Sequence, residues 1–179
     1  MSDAADWLRE HRDGAAPDEA LAFFDGLPAV DPAELTGRWR GTGLPTGSKL
    51  DGLLEAYGWY GKEFNGIESV HPLLFLDWRG RPRPVDPALL PLWLLRDLAG
   101  VAHLRLLRTA FRGIRPLLST NRPKARLRTV EHRGVATAAM VYDALPIIDV
   151  FRRVGADVLI GAMDMRGLPA PCFFLLRRD

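Results

Sequence analysis

The chain has 179 residues, 47% of them hydrophobic and 26% charged, with a formal net charge of +2, the balance of a globular chain with material for one core. Its single cysteine, Cys172, rules out an internal disulfide and any multi-cysteine metal centre. The longest apolar run, of about eight residues ending before Arg96, is far short of the roughly 20 that cross a bilayer as a helix. The acidic, polar start MSDAADWLREHRD is unlike a signal or transit peptide, so the expected address is the cytoplasm.

Residues 1–36 read as an acidic helical segment. Ser2 caps a first helix that Gly14 ends, with Trp7, Leu8 and His11 on one face, and Pro17 opens a second carrying Leu21, Phe24 and Leu27. Asp31-Pro32-Ala33-Glu34 has the cap, first-turn proline and reciprocal acid of a helix start, but Thr36-Gly37 stops it at once, leaving an entry turn. In Gly37-Arg38-Trp39-Arg40-Gly41-Thr42-Gly43 the glycines and the tryptophan share one face of a strand, where the glycines let a ligand or another chain segment approach closely. Ser48 and Asp51 start a further helix through Leu50, Leu53, Leu54 and Tyr57 to Gly58. The aromatic pair Trp59-Tyr60 and a strand from Leu73 to Trp78 follow.

The stretch 79–90 is rich in proline and arginine and reads as a loop. Helical sequence begins at Asp86-Pro87, breaks at Pro91 and resumes from Val101 to Leu118. There Leu104, Leu107, Phe111, Ile114 and Leu118 form an apolar face, and Arg105, Arg108, Arg112 and Arg115 a basic stripe beside it. The rest is strand: 125–132, 135–143, 147–154, 157–165 and 172–178, separated by turns such as Arg133-Gly134 and Gly155-Ala156-Asp157. Five evenly spaced strands make an antiparallel meander. With the Trp39 and Leu73 strands about seven are available to curl into a barrel. The expected division is therefore 1–36 as the acidic segment and 37–179 as one barrel-like domain, made of 37–78, a helical insert over 86–118 and the meander over 125–179.

Charge is unevenly distributed. Residues 1–36 hold nine acids against Arg9 and Arg12, whereas 101–133 holds nine lysines and arginines against Glu131. Nucleic-acid surfaces interleave aromatics with basic residues, and the basic helix offers only Phe111, on its apolar side. Neutralisation by the acidic N-terminal segment is therefore the favoured reading, and nucleic acid is not an expected partner.

Several motifs fail as chemistry. Gly41-Thr42-Gly43-Leu44-Pro45-Thr46-Gly47 lacks dinucleotide-loop spacing and a following βαβ unit. The four histidines show no ligand pairing, there is no G-x-S-x-G elbow, and Cys172, between proline and two phenylalanines, reads as a core thiol. Other residues stand out. Trp59, Tyr60, Lys62 and His71 form a polar-aromatic group. Lys62 is either a solvated rim cation or a cavity group, and His71 either bonds a loop carbonyl or carries protons near neutral pH. Asp149 lies in Ile147-Ile148-Asp149-Val150-Phe151, and a carboxylate on an apolar strand face must be paired or protonated. Arg153 or Arg128 are the partners in sight. Tyr142, at a strand end, would line a barrel mouth.

The stretches GRWRGTGLPTG, LDGLLEAYGWYGKEF with VHPLLF, ARLRTVEHRG, MVYDALPIIDVFRRV and FFLLRRD resemble the GXWXG-type family, whose members carry a companion C-terminal domain of unknown function. The likeness runs from about Leu35 to the end and departs at Ser48-Lys49, where the pattern has His-Pro, and at His132, where it has Tyr. It implies a fold and no activity. More loosely, G-x-W on an early strand with arginine on the last resembles lipocalin- and nitrobindin-type barrels. That likeness implies Trp39 as a barrel plug with Arg177 or Arg178 over its indole.

The expected fold is thus mainly β (α+β): an antiparallel calycin-like β-barrel or strongly curved sheet with N-terminal and mid-chain helices. The expected function is binding of a small, largely apolar or aromatic molecule in the barrel, with a lean towards cofactor-independent proton-transfer chemistry such as isomerisation, cyclisation or dehydration. Lys62, His71 and Asp149 are the candidate acid–base groups and Trp59, Tyr60, Tyr142 and Phe151 the walls. The alternatives are a non-catalytic carrier or sensor, including a haem binder with His71 or His132 as axial ligand, and a basic interaction module. No metal or other cofactor is expected, and a homodimer stays open.

Overall fold

The computed structural model describes residues 3–90 and 105–179; the expected helix before Arg105 lies outside them. Two helices, α1 (Asp3–Glu10) and α2 (Pro17–Asp25), precede a 3-10 turn at Pro32–Glu34. Nine strands follow: β1 (Gly37–Leu44), β2 (Trp59–Phe64), β3 (Val70–Leu76), β4 (Pro82–Pro84), β5 (Ala125–His132), β6 (Val135–Tyr142), β7 (Ile147–Gly155), β8 (Val158–Met165) and β9 (Cys172–Arg178). The Ser48–Gly58 stretch forms only a single helical turn, α3 (Leu53–Ala56), because Gly52 takes a left-handed φ of +70° and interrupts it; Asp51, just before, accepts from the Thr46 and Ser48 amides at 2.8 and 2.9 Å. Two strands were not expected. One is β4; the other is β2, which the Trp59-Tyr60 patch opens.

All pairings are antiparallel, in the order β2-β1-β9-β8-β7-β6-β5-β3-β4, and β2 also pairs with β3. The chain of pairings therefore returns on itself through eight strands, with β4 appended. Closure is thinnest between β3 and β5, where Val70 opposes Ala125 and the Lys124 amide donates to the Val70 carbonyl at 3.0 Å.

Strand alternation sorts the core into two layers. On β9, Phe174 and Leu176 point into the barrel with Trp39, Phe64, Leu127, Met140 and Phe151. Phe173 and Leu175 point outward and, with Ala139, Val150 and Ile160, meet Leu8, Ala20 and Phe24 of α1 and α2. The N-terminal helices are thus a cover on the outer face of the sheet. Among the described residues the acids of this segment do not meet the basic helix: Asp25 pairs at 2.8 Å with Arg133 in the β5–β6 turn, and Glu34 at 2.5 Å with Arg153 on β7. Neutralisation within the chain takes place, but on arginines of the sheet and its turns. The helix Arg105–Leu118 instead seats Phe111 edge-on against Tyr57 and Phe75, and leaves Ile114 and Leu117 at the surface.

One end of the barrel is closed by Trp39, which is 1% exposed. Its indole Nε1 donates to the Thr36 carbonyl at 3.1 Å, and the Arg178 guanidinium lies 4.3 Å over its ring. Arg177, the other candidate for that place, points outward to Thr42 Oγ1 at 3.4 Å, because adjacent residues of a strand face opposite sides. The glycines near Trp39 make room for other groups of the protein itself. A Cβ on Gly41 would stand 2.2 Å from the Trp59 ring, and one on Gly61, whose φ is +151°, would stand 1.9 Å from the Trp39 carbonyl oxygen.

Candidate functional site

Towards the α3 side the barrel interior is not filled. A cavity of about 100 Å³ remains, bounded by α3 and the loop before it and by the inner ends of β2, β7, β8 and β9. Its lining is mostly apolar, including Leu54, Leu73, Ile147, Met163 and Phe174. The polar groups in its wall are few. The Asp51 carboxylate is committed to the two backbone amides already named, and that of Glu55 accepts from the Gly43 amide. Cys172 is half-buried in the wall, its Sγ 3.2 Å from Ser48 Oγ, and is therefore not the sealed core thiol its neighbours suggested.

The remaining polar groups form a cluster. Lys62 Nζ lies 2.8 Å from Asp149 Oδ2, with both side chains almost wholly buried, and donates to the Pro72 carbonyl at 3.2 Å. The Phe174, Trp59 and Tyr142 rings surround the ammonium, with centroids at 4.9, 5.7 and 5.8 Å. The Tyr142 hydroxyl donates to Asp149 Oδ2 at 3.5 Å, and Asp149 Oδ1 is buried without a hydrogen-bond partner. Burial raises the Asp149 carboxyl above its ordinary value despite Lys62, and burial followed by the Asp149 charge raises the Tyr142 phenol, which stays protonated. In chemical terms this is a lysine and a carboxyl in ion-pair contact at 2.8 Å, with a phenol donor beside them, in an apolar cage.

The placement of the sequence candidates divides them. Lys62, Asp149, Trp59 and Tyr142 come together at the cavity wall. The partner of Asp149 is Lys62, not Arg153, which serves Glu34, or Arg128, which pairs with Glu68 at 2.7 Å. Tyr60, one residue from Trp59, faces outward, donates to Asp179 at 2.5 Å and carries Arg40 over its ring. Phe151 is fully buried edge-on against Phe64 and Phe174 and fills the barrel without lining the cavity. His71 opposes Glu63 across β2 and β3 and also lies outside the lining. His132 sits at the end of β5 with its ring 6.1 Å from Phe24 of the outer layer. Neither histidine is placed to ligate a haem in this cavity. The lining that sequence reasoning missed includes α3, Met163 and Phe174; Glu55, the polar residue of α3, gave no signal because an acid on a short helix reads as an ordinary solvated one.

Both histidines affect the fold rather than the cavity. Burial lowers His71 below its ordinary 6.5 against an opposing pull from Glu63. Burial also lowers His132, with Arg133 and Arg152 lowering it further and Asp164 and Asp25 opposing. A base whose folded-state value is depressed adds stability above pH 6.5 that is lost as pH falls through the folded-state value. Melting temperature should therefore drop on acidification below that pH. The drop should shrink in a His71→Gln, His132→Gln double variant, and equal slopes in the two proteins would refute the assignment.

A second concavity of about 800 Å³ lies between β4 and the Arg105–Leu118 helix, where Arg81, Arg83, Arg112 and Arg115 face Asp77 beside the exposed Trp78. Part of the arginine stripe thus points into a basic groove. Among the described residues no helix is long and apolar enough to cross a membrane, and no three metal-ligating side chains converge.

With this geometry in place, comparisons with known proteins align with the two halves of the chain. The model of the GXWXG protein family matches residues 22–80, and that of a domain of unknown function (DUF4334) matches residues 123–178. A solved crystal structure of a protein from Thermomonospora curvata is 30% identical, with 99% of each chain covered and a TM-score of 0.73. No curated protein matches. These comparisons carry no activity.

Proposed function

The chain belongs to the GXWXG protein family with its DUF4334 companion, and from that premise we propose that it binds a small apolar organic molecule in the barrel cavity and moves a proton on it. The observation that carries the reading is the buried Lys62–Asp149 pair in the wall of an otherwise apolar cavity. Such a pair costs more to bury than it returns unless the fold has another use for it. Asp149 is the proton acceptor of the pair at the cavity wall, so a C–H proton that it takes up can be returned at a neighbouring atom. That is the step isomerisation or dehydration needs, with no cofactor. Trp59, Tyr142 and Phe174 form the wall that excludes water.

Size narrows the ligand. The cavity holds about 100 Å³, less than the roughly 150 Å³ in which an apolar protein cavity accepts benzene. A short aliphatic molecule fits this reading better than an aromatic one.

Native mass spectrometry of the protein as isolated, followed by melting shifts with short-chain alkanes, alcohols and carbonyl compounds, tests the proposal. The expected result is a retained or stabilising small ligand whose turnover Asp149→Asn abolishes, with affinity kept within about tenfold. Unchanged turnover in that variant would favour a carrier. No melting shift with any of these classes would overturn the cavity reading. The basic groove supports a second reading, a face for an anionic partner, which charge reversal at Arg112 and Arg115 would abolish without touching the cavity.

A further inference from the structure

The cavity wall holds a nucleophile that proton transfer alone does not require. Lys62 is 2% exposed, its Nζ held in an apolar cage with a carboxyl beside it as a proton acceptor, and buried lysines are the side chains that form Schiff bases with carbonyl compounds. We propose that Lys62 is the covalent docking point for a small apolar aldehyde or ketone, which it holds as a protonated imine facing Asp149. This rests on the cavity reading and names its substrate class.

Three features argue for it. The amine reaches the cavity and has an acceptor for its proton, Asp149 Oδ2, at 2.8 Å. The rings of Phe174, Trp59 and Tyr142 around Nζ suit a cation that persists after the carbon is attached, which an iminium is and a simple amide or ester would not be. Asp149 Oδ1 is buried with no partner, and an added hydroxyl on the carbon next to Nζ would supply the donor it lacks. The other carboxylates in the wall, Asp51 and Glu55, are already held by backbone amides.

The step balances without a further reagent. The Lys62 ammonium passes one proton to Asp149. The amine lone pair forms the C–N bond, and the carbonyl π pair moves to oxygen, which takes up that proton. The nitrogen of the resulting carbinolamine gives a second proton, through Asp149, to the hydroxyl, and water leaves as the nitrogen lone pair forms the C=N bond. The iminium keeps one proton, the carboxylate is restored, and one water is released for each carbonyl consumed. The iminium then acidifies the adjacent C–H bond, placing the proton that Asp149 takes up next to an electron sink.

The chain has three lysines, Lys49, Lys62 and Lys124, which makes the test clean. The intact protein is treated with propanal and sodium cyanoborohydride, which reduces an iminium to a stable alkyl-lysine, and the labelled residue is located by peptide mass mapping. Labelling at Lys62 should saturate with propanal, run at least about tenfold faster than at Lys49, and be competed by 1-propanol, which is smaller than benzene and forms no imine. Folded Asp149→Asn protein, checked by near-ultraviolet circular dichroism, should label Lys62 at least about tenfold more slowly with Lys49 unchanged. Labelling confined to Lys49 and the N-terminus, while 1-propanol still raises the melting temperature, would overturn the imine and leave the cavity reading standing. Absence of both labelling at Lys62 and any melting shift would remove both.

Discussion

Lys62→Met is expected to lower stability by about 3–5 kcal/mol at neutral pH, because it leaves Asp149 buried without its cation. That is a large part of the 5–15 kcal/mol that usually holds a domain together. The loss should depend on pH in a definite direction. Burial already raises the Asp149 carboxyl above its ordinary 3.8, and without Lys62 only the long hydrogen bond from Tyr142 opposes that rise. A carboxyl raised on folding contributes stability that is present below the unfolded-state value and lost as pH climbs through the folded-state value. The variant should therefore be least impaired in acid and increasingly impaired towards pH 8. Asp149→Asn should also destabilise, without that pH dependence, since it leaves the ammonium uncompensated. Lys62→Met combined with Asp149→Leu should recover most of the stability, because two apolar side chains fill the space without a desolvated charge. A double-mutant cycle on denaturant midpoints measures the coupling. If the single variants melt like the parent protein, the pair is not the buried unit described here.

Trp39→Ala is expected to cost about 3–5 kcal/mol, in the range for truncating a large buried aromatic. The indole is 1% exposed and closes the barrel end, so its removal leaves a void lined by neighbours with nowhere to collapse. In a chain of this length the loss corresponds to a fall in melting temperature of roughly 6–20 °C. Arg178→Ala should do much less. Its contact with the ring is at the protein surface, where cation–π attraction contributes about 0.5–1 kcal/mol, and its hydrogen bonds to Thr36 and Asp157 are exposed. Thermal denaturation of the two variants separates filling from lidding. An unchanged melting temperature for Trp39→Ala would refute the plug.

The two predictions rest on residues of unequal visibility. Trp39 is legible from sequence because it shares a strand face with Gly37, Gly41 and Gly43, so strand parity and the G-x-W resemblance both send it inward. Asp149 is legible for the same kind of reason: it breaks an apolar run at a position where a regular strand faces the core, so burial and a partner follow. The meander strands emerge nearly residue for residue, β5 and β9 with the bounds expected, because alternation and glycine turns are local signals. The Ser48 helix did not, since Gly52 adopts a left-handed conformation that breaks it after its first turn, and a single sequence does not show which glycine will do so.

Lys62 shows where local reading ends. Counted from Trp59 along a regular strand, position 62 faces away from the barrel, which makes a solvated rim cation the natural inference and would put Tyr60 on the surface and Gly61 inside. In the folded protein the β2–β3 register slips on either side of Gly61, whose φ of +151° only glycine adopts with ease. The slip turns Lys62 inward to Asp149, and Phe64 with it, while Tyr60 remains outside. Composition, alternation and turn residues thus determined by themselves that the chain is β-rich with one carboxylate out of place, and the G-x-W resemblance added the plug. Which cation meets that carboxylate, and that the two meet at a cavity, was decided by a bulge in a strand 87 residues away in sequence, because a register slip depends on how two strands pair in space and leaves no periodic trace in either.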